Sequence, residues 1–121
     1  GADQIRGGPT GDDTILGSAG ADRLYGESGN DVLKGGDDND VIDGDDGSDQ
    51  IFGGGGTDKL VGGTGNDLVA GEEGDADRVY GVAGDDTVTG GPGEADYCSG
   101  GAGFNVASPD HGCEILSALS P

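Results

Sequence analysis

The chain has 121 residues, among them 30 glycines, 25 acidic side chains and five basic ones, and its formal net charge is −20. With 31% hydrophobic residues and this much like charge, an ordinary globular core is excluded, and the composition would mean disorder unless the glycines are periodic. Nucleic acid would be repelled, no apolar run is long enough to span a membrane, and the charge calls for small cations as partners.

The glycines are periodic. Gly1, Asp3 and Ile5 read as the end of a truncated unit. Glycine then recurs at Gly8, Gly17, Gly26, Gly35, Gly44, Gly53, Gly62 and Gly71, every nine residues. It continues at Gly81, Gly90 and Gly100, with a single-residue insertion in two of those three steps. Numbering each unit 1 to 9 from this glycine puts Gly11, Gly20, Gly29, Asp38, Gly47, Gly56, Gly65, Gly74, Gly84, Gly93 and Gly103 at position 4. Position 6 holds Asp13, Asp22, Asp31, Asp40, Asp49, Asp58, Asp67, Asp77, Asp86, Asp96 and Asn105. Position 8 holds Ile15, Leu24, Leu33, Ile42, Ile51, Leu60, Val69, Val79, Val88, Cys98 and Ala107.

Positions 1 to 6 are glycine-rich and polar, which predicts a turn using left-handed backbone angles. Asp38 replaces glycine at position 4 and is one of the few residue types that tolerate such angles. Positions 7 to 9 read as a very short strand with one side chain inward and two outward. A single inward residue per unit makes no core by itself, whereas units stacked in parallel form an aliphatic ladder. Past the last unit the pattern breaks at Pro109, and Ile115, Leu116 and Leu119 supply apolar residues suited to capping an open end. Residues 1–108 therefore read as the repeat domain and 109–121 as a capping segment. Cys98 and Cys113 suit one disulfide, and with it an exported protein; two free thiols are the alternative.

The run from Gly8 to Ser108 resembles the RTX, or hemolysin-type, calcium-binding nonapeptide repeats, of pattern G-G-x-G-x-D-x-aliphatic-x, and Gly62 to Ala70 is close to that consensus. The resemblance implies an all-β, right-handed parallel β-roll, with two repeats per turn and calcium held between turns. It also implies a ligand scheme. One loop gives the carbonyls of positions 2 and 4 and its aspartate; the loop two units on gives the carbonyls of positions 1 and 3 and its aspartate. One edge would pair Asp13–Asp31, Asp31–Asp49, Asp49–Asp67 and Asp67–Asp86; the other would pair Asp22–Asp40, Asp40–Asp58 and Asp58–Asp77. Gly29, Asp31, Gly44 and Asp49 would share one ion with the carbonyls of Glu27 and Asp46. Further carbonyl donors would be Gly11, Gly20, Asp38, Gly47, Gly56 and Gly65, with Gly26, Gly35, Gly53, Gly62, Gly71 and Gly81. Asp77–Asp96, with an inserted residue in each loop, Asp86–Asn105, short of one carboxylate, and Asp3–Asp22, on a truncated loop, are the weaker pairings. About seven to ten calcium ions per chain follow, a donor count suited to a cation that takes six to eight oxygens.

Nothing here reads as an enzyme. No EF-hand, H-E-x-x-H or G-x-S-x-G pattern occurs, and Ser108, Asp110 and His111 sit almost adjacent in the tail, as in a turn. The outward residues divide into two faces. One carries Arg23, Lys59, Arg78 and, with them, Arg6, beside Tyr25, Tyr80 and Tyr97; the other carries Leu16, Val32, Phe52 and Leu68, an apolar stripe that could dock a partner. The functions this predicts are a secreted calcium-dependent folding module, an adhesive solenoid, or an accessory domain of a secreted hydrolase.

Overall fold

The computed structural model describes residues 1–74, 76–92, 96–103, 106–107 and 113–117. Glycine-rich turns alternate with short strands: β1 Gln4–Arg6, β2 Thr14–Ala19, β3 Arg23–Tyr25, β4 Val32–Asp37, β5 Val41–Asp43, β6 Gln50–Gly54, β7 Lys59–Thr64, β8 Leu68–Ala70, β9 Arg78–Ala83, β10 Thr87–Thr89, β11 Asp96–Ser99, β12 Val106–Ala107 and β13 Cys113–Ser117. Each strand pairs in parallel with the strand two places on. The odd strands form a seven-stranded sheet in the order β1-β3-β5-β7-β9-β11-β13, and the even strands a six-stranded sheet in the order β2-β4-β6-β8-β10-β12. The chain is therefore an all-β solenoid in which each turn contributes one strand to each sheet. No helix of the described residues is long and apolar enough to cross a membrane.

Between the sheets runs the ladder that the repeat predicts. Ile15, Leu24, Leu33, Ile42, Ile51, Leu60, Val69, Val79, Val88 and Cys98 are each at most 4% exposed. The register joins like to like: Ile15 to Leu33 to Ile51 to Val69 on one sheet, and Leu24 to Ile42 to Leu60 to Val79 on the other.

Two local features differ from the sequence reading. First, β2, β4, β7 and β9 run six residues, through position 9 and into the following turn. Along β2, Ile15 and Gly17 are both buried, so position 1 is a second inward position, filled by a glycine. Second, the position-1 residue of the first full loop is Gly7, not Gly8. Gly7 N–H bonds the Tyr25 carbonyl, just as Gly26 N–H bonds that of Asp43, and Gly8 adopts φ 120°. The loop from Gly7 to Asp13 thus carries an inserted residue of its own, which a count anchored on Gly8 misses. Asp38 takes the left-handed conformation its residue type allows, at φ 75°.

Cys98 and Cys113 are disulfide-bonded, with Cα atoms 5.4 Å apart across a separation of 15 residues. Cys113 opens β13, which lies in parallel on β11 and continues the odd sheet, so this part of the tail is a further rung of the solenoid. The rest of the expected capping segment lies outside the described residues, as do Ser108, Asp110 and His111. Closing a loop of this size is worth about 3 kcal/mol in the chain-entropy account. Reduction, or Cys113→Ser, is expected to raise the calcium concentration needed to fold while leaving the β signal at saturation. An unchanged midpoint in a titration followed by circular dichroism would show that the bond holds nothing in place.

Candidate metal centres

The position-6 aspartates form one column along each edge of the solenoid, where strand and turn meet. Their carboxylates point inward: Asp22, Asp31, Asp40, Asp49, Asp58, Asp67, Asp77, Asp86 and Asp96 are 0–3% exposed. One oxygen of each is accounted for. The backbone N–H of Asp13 donates to Asp31 Oδ1 at 2.8 Å, Asp31 to Asp49, Asp49 to Asp67, and Asp67 to Asp86 at 2.9 Å. On the other edge Asp22 donates to Asp40, Asp40 to Asp58 and Asp58 to Asp77, each at 2.8 Å. The weaker pairings Asp3–Asp22 and Asp77–Asp96 show the same contact at 2.7 and 2.9 Å, so the inserted residues leave the column undisturbed. Asn105 lies outside the described residues.

The second oxygen is the chemically unusual one. Oδ2 of Asp13, Asp22, Asp31, Asp40, Asp49, Asp58 and Asp67 is buried and has no hydrogen-bond partner among the described residues. A buried carboxylate oxygen without a donor is costly, and a column of them is more so. These oxygens face the inward glycines. A Cβ placed on Gly17 would stand 2.7 Å from Asp22 Oδ2 and 2.6 Å from the Gly35 carbonyl oxygen; on Gly26 it would stand 2.5 Å from Asp31 Oδ2 and 2.7 Å from the Gly44 carbonyl. The carbonyls of Gly53, Gly62, Gly71 and Gly81 stand likewise beside the position-1 glycine two units earlier. Glycine at position 1 therefore leaves open an oxygen-lined space that any side chain would fill.

The other carbonyls of the ligand scheme are already engaged between loops. Glu27 O accepts the Asp46 N–H at 3.0 Å, and Asp46 O accepts the Gly29 N–H at 3.2 Å. The position-4 carbonyls stack along the rim: that of Gly11 lies against Gly29, Gly29 against Gly47, Gly47 against Gly65, and Asp38 against Gly56, while Gly20 meets the carbonyl of Gly1. Among the described residues no three acidic, histidine or cysteine side chains converge in one cluster. A cation would therefore depend on backbone carbonyls as much as on carboxylates, which is the mixed oxygen set that suits calcium.

Electrostatics bear on the same oxygens. Burial, only partly offset by the backbone hydrogen bond from the preceding turn, pushes Asp49 and Asp58 up to about 7 and Asp67 to about 6, and neighbouring aspartates push the same way. Asp31, Asp40 and Asp86 are raised with the same leading cause. A carboxyl raised from 3.8 on folding binds its proton more tightly in the folded chain. Its contribution to stability is complete below the unfolded value and is lost as pH rises through the folded one. In chelator, the β signal is therefore expected to grow as pH falls from 8 to 5. A flat circular dichroism signal over that range would contradict it.

One side-chain column was missed by the sequence reading. At position 5, Asp12 Oδ1 accepts the Asn30 N–H at 2.9 Å, Asn30 Oδ1 the Ser48 N–H at 2.8 Å, Asn39 Oδ1 the Thr57 N–H at 2.8 Å, and Asn66 Oδ1 the Asp85 N–H at 2.9 Å. The recurrence of Asp and Asn at position 5, at Asp12, Asn30, Asn39 and Asn66, is the signal in the sequence that could have found it.

Outside the edges, Arg6 lies over the Tyr25 ring at 4.6 Å and pairs with Glu27 at 3.0 Å, and Tyr80 and Tyr97 are in ring contact at 5.7 Å. On the apolar face Leu16 is 56% exposed, whereas Val32, Phe52 and Leu68 are half-buried, with Lys34 over the Phe52 ring at 5.6 Å.

A family model described as the RTX calcium-binding nonapeptide repeat (four copies) matches residues 1–33, 10–42, 25–60, 34–69, 52–75 and 73–107. No curated protein and no solved structure matches the chain.

Proposed function

The chain belongs to the RTX calcium-binding nonapeptide repeat family, and from that premise we propose that it is a calcium-dependent folding module of an exported protein, with no catalytic role of its own. The observation that carries this reading is the column of buried Oδ2 atoms, from Asp13 to Asp67, with no donor among the described residues, each beside a glycine that keeps its space open. Asp31 and Asp49, with the carbonyls of Gly29, Gly44, Glu27 and Asp46, would hold one ion, and the same set repeats along both edges. Bound calcium would neutralise facing carboxylates and tie successive loops together. Cys98–Cys113 accords with an oxidising destination.

The seven loop pairs Asp13–Asp31, Asp31–Asp49, Asp49–Asp67, Asp67–Asp86, Asp22–Asp40, Asp40–Asp58 and Asp58–Asp77, with up to three more, set the expected stoichiometry at about seven to ten ions. Metal analysis of the folded protein tests it: fewer than about five ions would end the loop-pair scheme. An adhesive role would use the Leu16, Val32, Phe52 and Leu68 face. Leu16 is the most open of them, the other three being half-buried.

A further inference from the structure

The aspartate column is nearly the same from turn to turn: from Asp22 to Asp96, each position-6 Oδ1 takes a backbone N–H at 2.7–2.9 Å. It therefore gives no reason for one metal site to differ from another. The position-5 column does vary. Asp12, Asn30, Asn39 and Asn66 each reach across to the N–H of the position-5 residue one turn on, immediately next to the aspartate of that loop. Ala21 stands at the same position and has no side-chain oxygen to offer. In that turn a different residue spans the gap. Asp38, the one departure from glycine among the position-4 residues, reaches back with Oδ2 to the Gly20 N–H at 3.1 Å. It does so from a left-handed backbone, at φ 75°.

Resting on the calcium reading above, we infer that the position-5 Asn and Asp side chains, with Asp38 standing in for the oxygen Ala21 lacks, are positioning residues that latch adjacent loops at the spacing the metal sites require and so set the calcium affinity of each site. A latch acts before the metal arrives. It removes part of the ordering that binding would otherwise have to impose, which raises apparent affinity without adding a ligand. The amide of Asn30, Asn39 or Asn66 does this without adding charge to an edge already crowded with carboxylates. Asp38 and Ala21 form a compensating pair: a strained carboxylate is useful there because the neighbouring latch is missing.

The test is a calcium titration of the full chain by circular dichroism, with bound calcium measured at saturation, on the parent chain, Asn30→Ala, Asn30→Asp, Asp38→Gly, Ala21→Asn and Ala21→Asn with Asp38→Gly. One solvent-exposed hydrogen bond corresponds to about a two- to tenfold change in midpoint. Asn30→Ala is expected to raise the midpoint by that factor with the ion count unchanged, and Asn30→Asp, which keeps Oδ1, to recover it. Asp38→Gly is expected to raise the midpoint in the parent chain and to have no effect once Asn occupies position 21. An Asn30→Ala chain with the parent midpoint overturns the latch. So does one that binds fewer ions at saturation, because Asn30 would then be a ligand. A parent chain that folds but takes up no calcium overturns the proposed function instead. The latch is then read from the urea midpoint, where no loss in Asn30→Ala overturns it.

Discussion

In chelator at pH 8 the chain is expected to be expanded and largely without β-sheet, and in millimolar calcium compact and β-rich. Each unit buries one aliphatic side chain, such as Leu33 or Ile51, worth about 1.5–3 kcal/mol. Against this, each residue ordered loses about 1–2 kcal/mol of backbone entropy, and glycine loses most. The ladder alone falls short, and the edges make matters worse by stacking buried carboxylates in columns within a chain of net charge −20. Seven divalent ions would reduce that charge to about −6, and their binding free energy becomes folding free energy. Because neighbouring sites in the proposed scheme would share an aspartate and a strand ladder, the transition is expected to be cooperative. Magnesium, which demands a tight octahedron and releases water reluctantly, is expected to replace calcium poorly. Circular dichroism and hydrodynamic radius decide the matter: a compact, β-rich chain in excess chelator would show that the ladder and the disulfide suffice alone.

Replacing Asp49 with alanine is expected to raise the calcium midpoint more than about tenfold, whereas Asp45→Ala shifts it less than about twofold. The two residues lie in one loop but differ in what surrounds them. Asp49 is 1% exposed; its Oδ1 takes the Asp31 N–H, its own N–H goes to Asp67 Oδ1, and its Oδ2 has no donor among the described residues. Asp45 is exposed, at position 2. Asp49→Ala thus breaks the column in both directions and would strip a carboxylate from two of the proposed sites, while Asp45→Ala removes one solvated charge. Equal effects in parallel titrations would mean that total charge, and not register, governs folding.

The architecture was legible because its determinants are local and repeated. A glycine every nine residues with an aliphatic seven places later leaves little choice but stacking, and the ladder from Ile15 to Cys98 follows that register. What escaped the sequence depends on contacts between turns. Gly7 and Gly8 are equivalent letters, and only the bond from the Gly7 N–H to the Tyr25 carbonyl shows which opens the loop. The second inward column, at Gly17 and its equivalents, is invisible because an absent side chain leaves no pattern of hydrophobicity. The latches of Asn30, Asn39 and Asn66 were hidden for a similar reason: each is made to a backbone group 18 or 19 residues away, in a loop whose own side chain has no part in the bond.

The alternation of strands between two sheets carries one more consequence, which concerns parity. Every strand is bonded only to the strands two places before and after it. A single added residue, as between Gly7 and Asp13 or between Gly71 and Asp77, is absorbed in a turn and changes nothing downstream. Loss or gain of one whole nine-residue unit is different in kind. It would send every later strand to the opposite sheet, exchanging the surface of Arg23, Lys59 and Arg78 with that of Leu16, Phe52 and Leu68 from that point on. Removal of two units leaves both surfaces continuous. A chain of this design can therefore change length without exchanging its two surfaces only in steps of two units.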